Sequence, residues 1–213
     1  PASVGVDVDV VVVDNSGELG ADRTLPATVL SAGGNAGYAG GANRGLRHVL
    51  DQHPDAAFVA VCSHDFHPEP DCFRRLLDVG TDDTFGVLAP MLTAPKPDIG
   101  SFFDGRRSRR IEPGPGMPAL FEPDWASGTC LLLRTDALRA VGGFDEGFGS
   151  YMEDVDLCLR VRAAGWRVAT VTGAAGRGLG SVSDVRFRMT AVNVALLAAK
   201  REGAGPARRL VAR

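Results

Sequence analysis

The 213-residue sequence predicts an α/β fold with one open mixed sheet flanked by helices. Two observations favour this fold: short apolar strands alternate with helical segments, and polar residues follow the strands. No internal repeat or clear linker divides the chain. We predict a main domain over residues 1–183 and a C-terminal amphipathic, basic helical extension over residues 184–213.

The first half of the chain alternates strands and helices. Residues 8–13 are apolar and β-branched, which is typical of a strand covered on both faces in a parallel sheet, and residues 27–31 form a second short strand. The glycine-rich turn at 33–37 opens a helix. Residues 57–62 predict a third strand, and a proline in a first turn predicts a helix that begins near Pro70.

The second half continues the alternation after an irregular insertion. Residues 85–92 and 128–133 are apolar and strand-like, and a short helix starts at Thr135. Residues 93–124 between them are rich in proline and glycine, which predicts a long loop or a hairpin insertion. This insertion carries a basic cluster, Arg106, Arg107, Arg109 and Arg110.

Three further elements complete the order. An acidic helix ends at Gly165, residues 167–171 form the last strand, and residues 184–202 form an amphipathic helix. In an open α/β sheet, ligands bind beyond the carboxyl ends of the strands. Because Asp14 and Asp65 each follow a strand, we expect them to converge on one pocket.

Composition limits the class of protein. Hydrophobic residues make up 45% of the chain and charged residues 23%, which is ordinary for a globular domain with one core. The sequence shows no membrane span and no signal peptide, which predicts a cytoplasmic protein. The four cysteines form no CxxC pair, and three of them lie in apolar surroundings that are typical of buried thiols.

Charge is unevenly distributed along the chain. The net charge is -3, but seven basic residues and one acidic residue follow position 185, so this tail carries +6 and the remainder -9. Such a tail predicts contact with phosphate or with the anionic inner face of the plasma membrane, although a solvated helix face accounts for it equally well. We expect no nucleic-acid partner.

The most informative stretch is the run GGFDEGFGSYMEDVDLCLR, which ends at Arg160. It places Glu153, Asp154 and Asp156 at a helix N-terminus, where backbone amides stabilise anions. Acids that only cap a helix would explain one carboxylate, but not the surrounding GGFDE or Tyr151. The run closely resembles the acidic motif of family 2 glycosyltransferases, and in particular their rhamnosyltransferase-like branch, which implies a GT-A fold.

The resemblance implies roles for the acids. Asp154 matches the second acid of the family's ED pair, which deprotonates the acceptor hydroxyl as a general base. Glu153 would orient or polarise its surroundings. Asp156 lies about 200° further around the helix and is expected to bind Arg160 or Arg162.

A donor site is implied by two further segments. Asp14 and Asn15 end the run VVVDN, and by themselves they are common turn formers. The resemblance implies that Asp14 contacts the nucleobase of a nucleotide sugar. Asn35, Gly37 and Asn43 belong to a segment that resembles the family's donor-site lining, in which glycines let a phosphate approach the backbone. The tyrosine after Gly37 either stacks on a ligand or packs.

A divalent cation, Mg²⁺ or Mn²⁺, is implied at Asp65. This residue matches the last acid of the family's DxD-type element, which holds the cation on the donor diphosphate. Ser63 replaces the first acid, and Gly178 stands where the family usually carries a metal-binding or diphosphate-binding His. Both departures count against a metal site. His64 and His67 flank Asp65, and loop histidines of this kind are more often simply solvated.

The acceptor side is implied by the segment WASGTCLLLR. Its loop resembles the family segment that borders the acceptor, which implies acceptor contacts at Trp125 and Gly128, with Tyr151 from the acidic motif. Trp125 would stack on a sugar face. A packing role for this tryptophan is equally compatible with the sequence.

The predicted function is therefore inverting transfer of a sugar from a nucleoside-diphosphate sugar to a glycan or lipid-linked saccharide of the cell envelope, with dTDP-rhamnose as the first candidate donor. The family's leading strand has no counterpart here. Its absence and Gly178 leave open a degenerate binding or scaffold domain without turnover. Nucleotidyl transfer would require a glycine-rich loop with Lys or Arg after the first strand, which the sequence lacks.

Overall fold

A computed structural model describes residues 6–19, 26–104, 107–178 and 184–202. The strands are β1 (Val11–Asp14), β2 (Thr28–Ser31), β3 (Phe58–Cys62), β4 (His67–Pro68), β5 (Phe85–Leu92), β6 (Ser101–Phe103), β7 (Ser108–Arg110), β8 (Leu120–Phe121), β9 (Cys130–Arg134) and β10 (Arg167–Arg177). The helices are α1 (Gly37–Gln52), α2 (Cys72–Gly80), α3 (Thr135–Val141), α4 (Glu153–Ala163) and α5 (Asp184–Glu202), with a short 3₁₀ helix at Glu146–Phe148.

The central sheet is mixed. Its strand order is β3-β9-β5-β10-β4, and β8 also pairs with β10. Strand β9 runs antiparallel to both β3 and β5, whereas β5 and β10 are parallel. Strands β1 and β2 form a separate parallel pair, and β6 and β7 form a hairpin within the predicted insertion. The predicted α/β fold with a mixed sheet is confirmed.

Strands β1 and β3 lie on either side of a groove of about 1040 Å³, which α1 also lines. Among the described residues, β1 pairs only with β2 and β3 only with β9, so each leaves one edge unpaired. Val8 and Val10 beside this groove remain about half exposed. The register of β1 with β2 begins at Val11, although the Val10 carbonyl accepts a hydrogen bond from the Thr28 amide, so β1 starts three residues later than predicted.

The sheet is covered on both faces. One core cluster joins α1, α3 and α4 to one face, and Val87 and Leu157 are completely buried in it. A second cluster packs α2 against the other face around Leu76 and Leu88. This two-sided cover explains why β5 is buried along almost its whole length.

Helix α5 packs directly on the acidic motif. Leu197 contacts the cluster formed by Phe148, Val155 and Leu159, so part of the predicted extension belongs to the same core as α4. No helix among the described residues is long and apolar enough to cross a bilayer. The predicted boundary at residue 183 and the basic residues beyond 202 lie outside the described residues.

Candidate active site

Helix α4 starts from a constrained turn. Tyr151 and Met152, which precede it, have φ values of 72° and 73°, in the left-handed region that non-glycine residues rarely adopt. The turn aims Asp154 at the loop before β9. There its Oδ2 accepts a hydrogen bond from the Gly128 amide at 2.8 Å, while Oδ1 accepts one from the Val155 amide at 2.8 Å.

The two adjacent acids have perturbed pKa values. Burial raises the pKa of Glu153 to about 8, and the negative charge of Asp154 adds to the shift. Glu153 is 5% exposed, and its Oε2 atom has no hydrogen-bond partner among the described residues. Burial also raises the pKa of Asp154, although the amides of Gly128 and Val155 oppose the shift. The raised pKa of Glu153 favours its protonated form at neutral pH.

Asp156 has a structural role. Its carboxylate, which is 3% exposed, accepts from the Arg160 guanidinium at 2.6 Å and from the Lys200 ammonium at 2.7 Å. The expected partner Arg160 is thus confirmed. Arg160 also donates to the carbonyls of Val141 and Gly143, which ties α4 to the end of α3.

The N-terminus of α1 contacts the acidic motif. Gly37 has a φ of 71°, and a Cβ at this position would lie 2.6 Å from the Gly149 carbonyl oxygen, so only glycine fits. The same oxygen accepts from the Ala39 amide at 2.8 Å. Asn35 accepts from the Gly37 amide, and the Asn15 side chain donates to the Gly37 carbonyl at 2.8 Å.

The Asp14 carboxylate faces its own turn. It accepts hydrogen bonds from the Ser16 hydroxyl and from the amides of Ser16, Gly17 and Leu19. Burial acts to raise the pKa of Asp14, but these hydrogen bonds outweigh it and lower the pKa below its ordinary value. This geometry matches a turn former, and the contact with a nucleobase stays a prediction.

The Asn43 side chain clamps α1 to the GGFDE segment. Its amide donates to the Phe144 carbonyl at 2.8 Å and to the Glu146 carboxylate at 2.9 Å, and its oxygen accepts from the Phe144 amide. The residue is 7% exposed. Asn43 thus positions the loop that leads to α4, and a direct donor contact is not required to explain it.

Asp65 lies in the loop after β3. The Ser63 hydroxyl donates to its carboxylate at 2.6 Å, and the Ser63 amide donates to the Thr129 carbonyl. Among the described residues, no cluster of three His, Cys, Asp or Glu side chains could hold a metal ion. A Cβ at Gly178 would lie 2.9 Å from the Thr129 methyl group, so a histidine there would require Thr129 to move.

The predicted acceptor residues border the same loop. Trp125 is partly buried, and its indole donates to the Ser108 hydroxyl of the β6–β7 hairpin at 3.2 Å. Gly128 approaches Asp154 so closely that a Cβ would lie 3.2 Å from that residue's own Cβ. The Tyr151 ring lies beneath the Arg186 guanidinium at 5.9 Å. Their acceptor contacts stay predictions.

Two connected sets of contacts bring these segments together. Asn15 holds the start of α1, and Tyr38 in α1 donates through its hydroxyl to the Gly128 carbonyl. The carbonyl of Thr129, the residue after Gly128, accepts a hydrogen bond from the Ser63 amide, and the Ser63 hydroxyl donates to Asp65. Asn15, Tyr38 and Ser63 all line the groove between β1 and β3. The predicted donor, metal and base segments are therefore neighbours.

Sequence reasoning missed Asn193 and the hydrogen bond of Tyr38, a residue for which it offered only stacking or packing. The side chain of Asn193 in α5 reaches three carbonyls of the acidic-motif loop, and the hydroxyl of Tyr38 holds Gly128. Their partners are backbone carbonyls 42 or more positions away in sequence. An asparagine within an otherwise apolar helix face was the only local signal.

Comparison with known proteins identifies the family. Residues 58–189 match the model of glycosyl transferase family group 2. This match covers more than half of the chain and includes β3, the Asp65 loop, Gly128 and the acidic motif. The chain belongs to glycosyltransferase family 2. The predicted rhamnosyltransferase-like character is also confirmed by its relatives.

Two relatives of this family 2 member are glycosyltransferases by name. An N-acetylglucosaminyl-diphospho-decaprenol L-rhamnosyltransferase of Mycobacterium tuberculosis is 30% identical over 76% of the chain and 61% of its own length. The low-salt glycan biosynthesis hexosyltransferase Agl10 of Haloferax volcanii is 28% identical over 62% of the chain and 45% of its length. The chain thus spans less than two thirds of either relative.

Solved structures confirm the fold. GalNAc-T7 in complex with UDP, GalNAc and Mn²⁺ superposes with a TM-score of 0.66 at 11% identity, over 89% of this chain and 41% of that protein. The mannosyltransferase PcManGT of Pyrobaculum calidifontis, bound to GDP-Man and Mn²⁺, has a TM-score of 0.61 at 17% identity, over 96% and 59%. The predicted GT-A fold is confirmed.

Proposed function

We propose that this chain transfers a sugar from a nucleoside-diphosphate sugar to an acceptor hydroxyl, with inversion at the anomeric carbon. The observation that carries the proposal is the carboxylate of Asp154, held by the Gly128 amide at 2.8 Å beside a buried Glu153. Membership of glycosyltransferase family 2 supports the reaction class. A base with a raised pKa is better suited to remove a hydroxyl proton at neutral pH.

The proposed reaction is a single displacement. Asp154 takes the proton of the acceptor hydroxyl while the acceptor oxygen attacks the anomeric carbon. The bond between that carbon and the diphosphate oxygen breaks, and the nucleoside diphosphate leaves with the bonding electrons. Glu153 keeps its own proton, and Asp154 acts as the base in its ionised form. Holding donor and acceptor in one pocket removes much of the entropic barrier.

We propose a divalent cation as a companion of the diphosphate. Magnesium is often held by one or two carboxylates together with substrate phosphates and waters. Asp65, whose carboxylate is oriented by Ser63, would hold it on the protein side. When bound, the cation would neutralise charge on the leaving diphosphate. The Mn²⁺ in the two structural neighbours supports this choice of cofactor.

For substrates, we infer dTDP-rhamnose as donor and a lipid-linked saccharide of the cell envelope as acceptor. The name of the mycobacterial relative supports the rhamnosyl group and the lipid-linked acceptor, because it describes transfer of L-rhamnose to a diphospho-decaprenol-linked sugar. The name of Agl10, a hexosyltransferase of glycan biosynthesis, supports a role in building a glycan. Trp125 and Tyr151 are the aromatic residues that we assign to the acceptor side.

A lipid-linked acceptor requires access to a membrane surface, and we propose that α5 provides it at the cytoplasmic face. Phe187 is 79% exposed and Val192 is 66% exposed, while Arg186 and Arg188 flank the phenylalanine. Exposed apolar side chains next to arginine are typical of helices that lie on anionic bilayers.

The proposed function is tested by calorimetry followed by a transfer assay. Micromolar, Mn²⁺-dependent binding of dTDP or UDP, with release of nucleoside diphosphate from dTDP-rhamnose in the presence of a lipid-linked acceptor, would support an enzyme. Absence of nucleotide binding and of transfer would overturn the proposal and support the second candidate, a scaffold domain without turnover. The packing of Gly178 against Thr129, which leaves little space for a histidine, is the observation that favours this second candidate.

A further inference from the structure

Tyr38, the second residue of α1, is held through both its side-chain hydroxyl and its backbone amide. Its hydroxyl donates to the Gly128 carbonyl, and its backbone amide donates to the Ser150 hydroxyl at 2.9 Å. The ring packs edge-on against Phe144, with 5.9 Å between ring centroids. A packing role alone would need the ring but not the hydroxyl, and the hydroxyl makes a specific hydrogen bond across 90 residues of sequence.

Gly128 needs such a restraint. Glycine has the greatest backbone freedom of any residue, so an isolated glycine cannot hold its amide in one direction. Here its carbonyl accepts from Tyr38 on one side, and its amide donates to Asp154 on the other. A stiffer residue with a side chain would crowd Asp154, because a Cβ at Gly128 would lie 3.2 Å from the Cβ of Asp154, which would have to shift by a few tenths of an ångström.

We propose that Tyr38 is a positioning residue, which fixes the main chain at Gly128 and thereby the direction of the Asp154 carboxylate. The inference rests on the proposed role of Asp154 as the base. Tyr38 itself does not touch the reacting atoms. Its contribution is to keep the Gly128 amide aimed at Oδ2, so that the other lone pairs of the carboxylate face the acceptor.

The electrostatic surroundings keep Tyr38 a hydrogen-bond donor. Burial raises the pKa of Tyr38 well above its ordinary value of 10, and the negative charges of Glu153 and Asp154 raise it further. The phenol therefore stays protonated at neutral pH. A neutral hydroxyl at this position also avoids placing a further negative charge beside the carboxyl groups of Glu153 and Asp154.

The test is Tyr38→Phe, which keeps the ring and removes only the hydroxyl. The pKa of Asp154, followed by ¹³C NMR of its carboxyl group without substrate, is expected to rise, because a loosened Gly128 amide stabilises the carboxylate less. Turnover is expected to fall roughly tenfold with little change in the donor KM, as for a misaligned base. An unchanged Asp154 titration in a folded Tyr38→Phe protein would overturn the proposal.

A matched control is Thr135→Val. The Thr135 hydroxyl donates to the Ala56 carbonyl at 2.7 Å near the start of β3, the opposite end from Ser63. This variant is expected to lose stability without moving the Asp154 titration, and an equal shift in both variants would contradict a positioning role for Tyr38.

Two further readouts keep the test decisive. Should Tyr38→Phe not fold, hydrogen exchange of the Gly128 amide in the unaltered protein decides the question: protection supports the proposal, and rapid exchange contradicts it. The NMR titration does not depend on activity. It therefore separates failure of this inference from failure of the proposed function, which loss of transfer and nucleotide binding in the unaltered protein would reveal.

Discussion

The side-chain amide of Asn193 in α5 donates to the carbonyl of Tyr151, the first of the two left-handed residues before α4, at 2.7 Å. The same nitrogen lies 2.7 Å from the Phe148 carbonyl oxygen and 2.8 Å from that of Ser150. The side-chain nitrogen of asparagine carries two hydrogens, so at least one hydrogen is shared between two of these three carbonyl oxygens. Strained backbone persists only where its surroundings fix it, and Asn193 supplies that restraint.

Replacing Asn193 with Ala is therefore expected to lower the free energy of unfolding by about 2–3 kcal/mol, because buried carbonyls lose their donor. Urea denaturation measures this change. The neighbouring Val192→Ala, at a position that is 66% exposed, is the control and is expected to stay within about 0.5 kcal/mol of the parent. Equal effects of the two substitutions would show that Asn193 does not restrain the loop.

The pKa of Glu153 predicts a pH dependence of stability. Its folded pKa of about 8 lies above its ordinary value of 4.5, so folding favours the protonated form. This contribution is complete below pH 4.5 and is lost as pH rises towards 8. Over that window it lowers the free energy of unfolding, by at most about 1.4 kcal/mol per pH unit.

Denaturation of the parent protein and of Glu153→Gln between pH 4.5 and 9 isolates this contribution, because all other groups are shared. The Gln variant is expected to lose the downward slope. The exposed Glu112→Gln is the matched control and should keep it. Parallel stability curves for the parent and Glu153→Gln would mean that Glu153 is ionised in the folded protein at neutral pH.

Much of the fold could be predicted from local patterns. The predicted strand at residues 85–92 coincides with β5, and the predicted helix at 184–202 coincides with α5. Whether neighbouring strands run parallel or antiparallel was harder to predict from the sequence. A strand buried on both faces has the same apolar pattern whether its neighbours are parallel or antiparallel, so β9 gave no sign of running antiparallel to β3 and β5.

The extent of β10 also exceeded the prediction, because its later residues pair with β4 and with the end of β5, which are distant in sequence. In the site, the acidic motif could be found by its residue order. The clamps formed by Asn43, Tyr38 and Asn193 could not, since each bonds to backbone groups brought near only by folding. Side-chain identity does not encode such partners.

The cation proposal predicts a metal-dependent effect at Asp65. Asp65→Ala should weaken nucleoside diphosphate binding roughly tenfold in Mn²⁺ and have little effect in chelator, because the carboxylate acts through the cation. Calorimetry under both conditions measures this difference. Asp83→Ala, in the exposed turn before β5 at the opposite end of the sheet, is the control. Equal weakening by Asp65→Ala with and without metal would rule out a metal role.

The membrane proposal predicts salt-sensitive binding to anionic vesicles. Cosedimentation with phosphatidylglycerol vesicles should decrease as salt is raised, and phosphatidylcholine vesicles should bind less. Phe187→Ser should weaken binding roughly tenfold, because it removes the most exposed large apolar side chain among the described residues of α5. Absence of salt-sensitive binding by the parent protein would refute membrane contact through this helix and the basic tail.

The most direct measurement of the central claim compares Asp154→Asn with the parent protein in donor calorimetry and in sugar transfer. Donor affinity should change little, whereas turnover should fall at least about a hundredfold, the usual contribution of a general base. The matched control is Asp136→Asn, in the first turn of α3, where the carboxylate is exposed and pairs only with Arg139 among the described residues. Transfer by Asp154→Asn at the parental rate would contradict the assignment of Asp154 as the base.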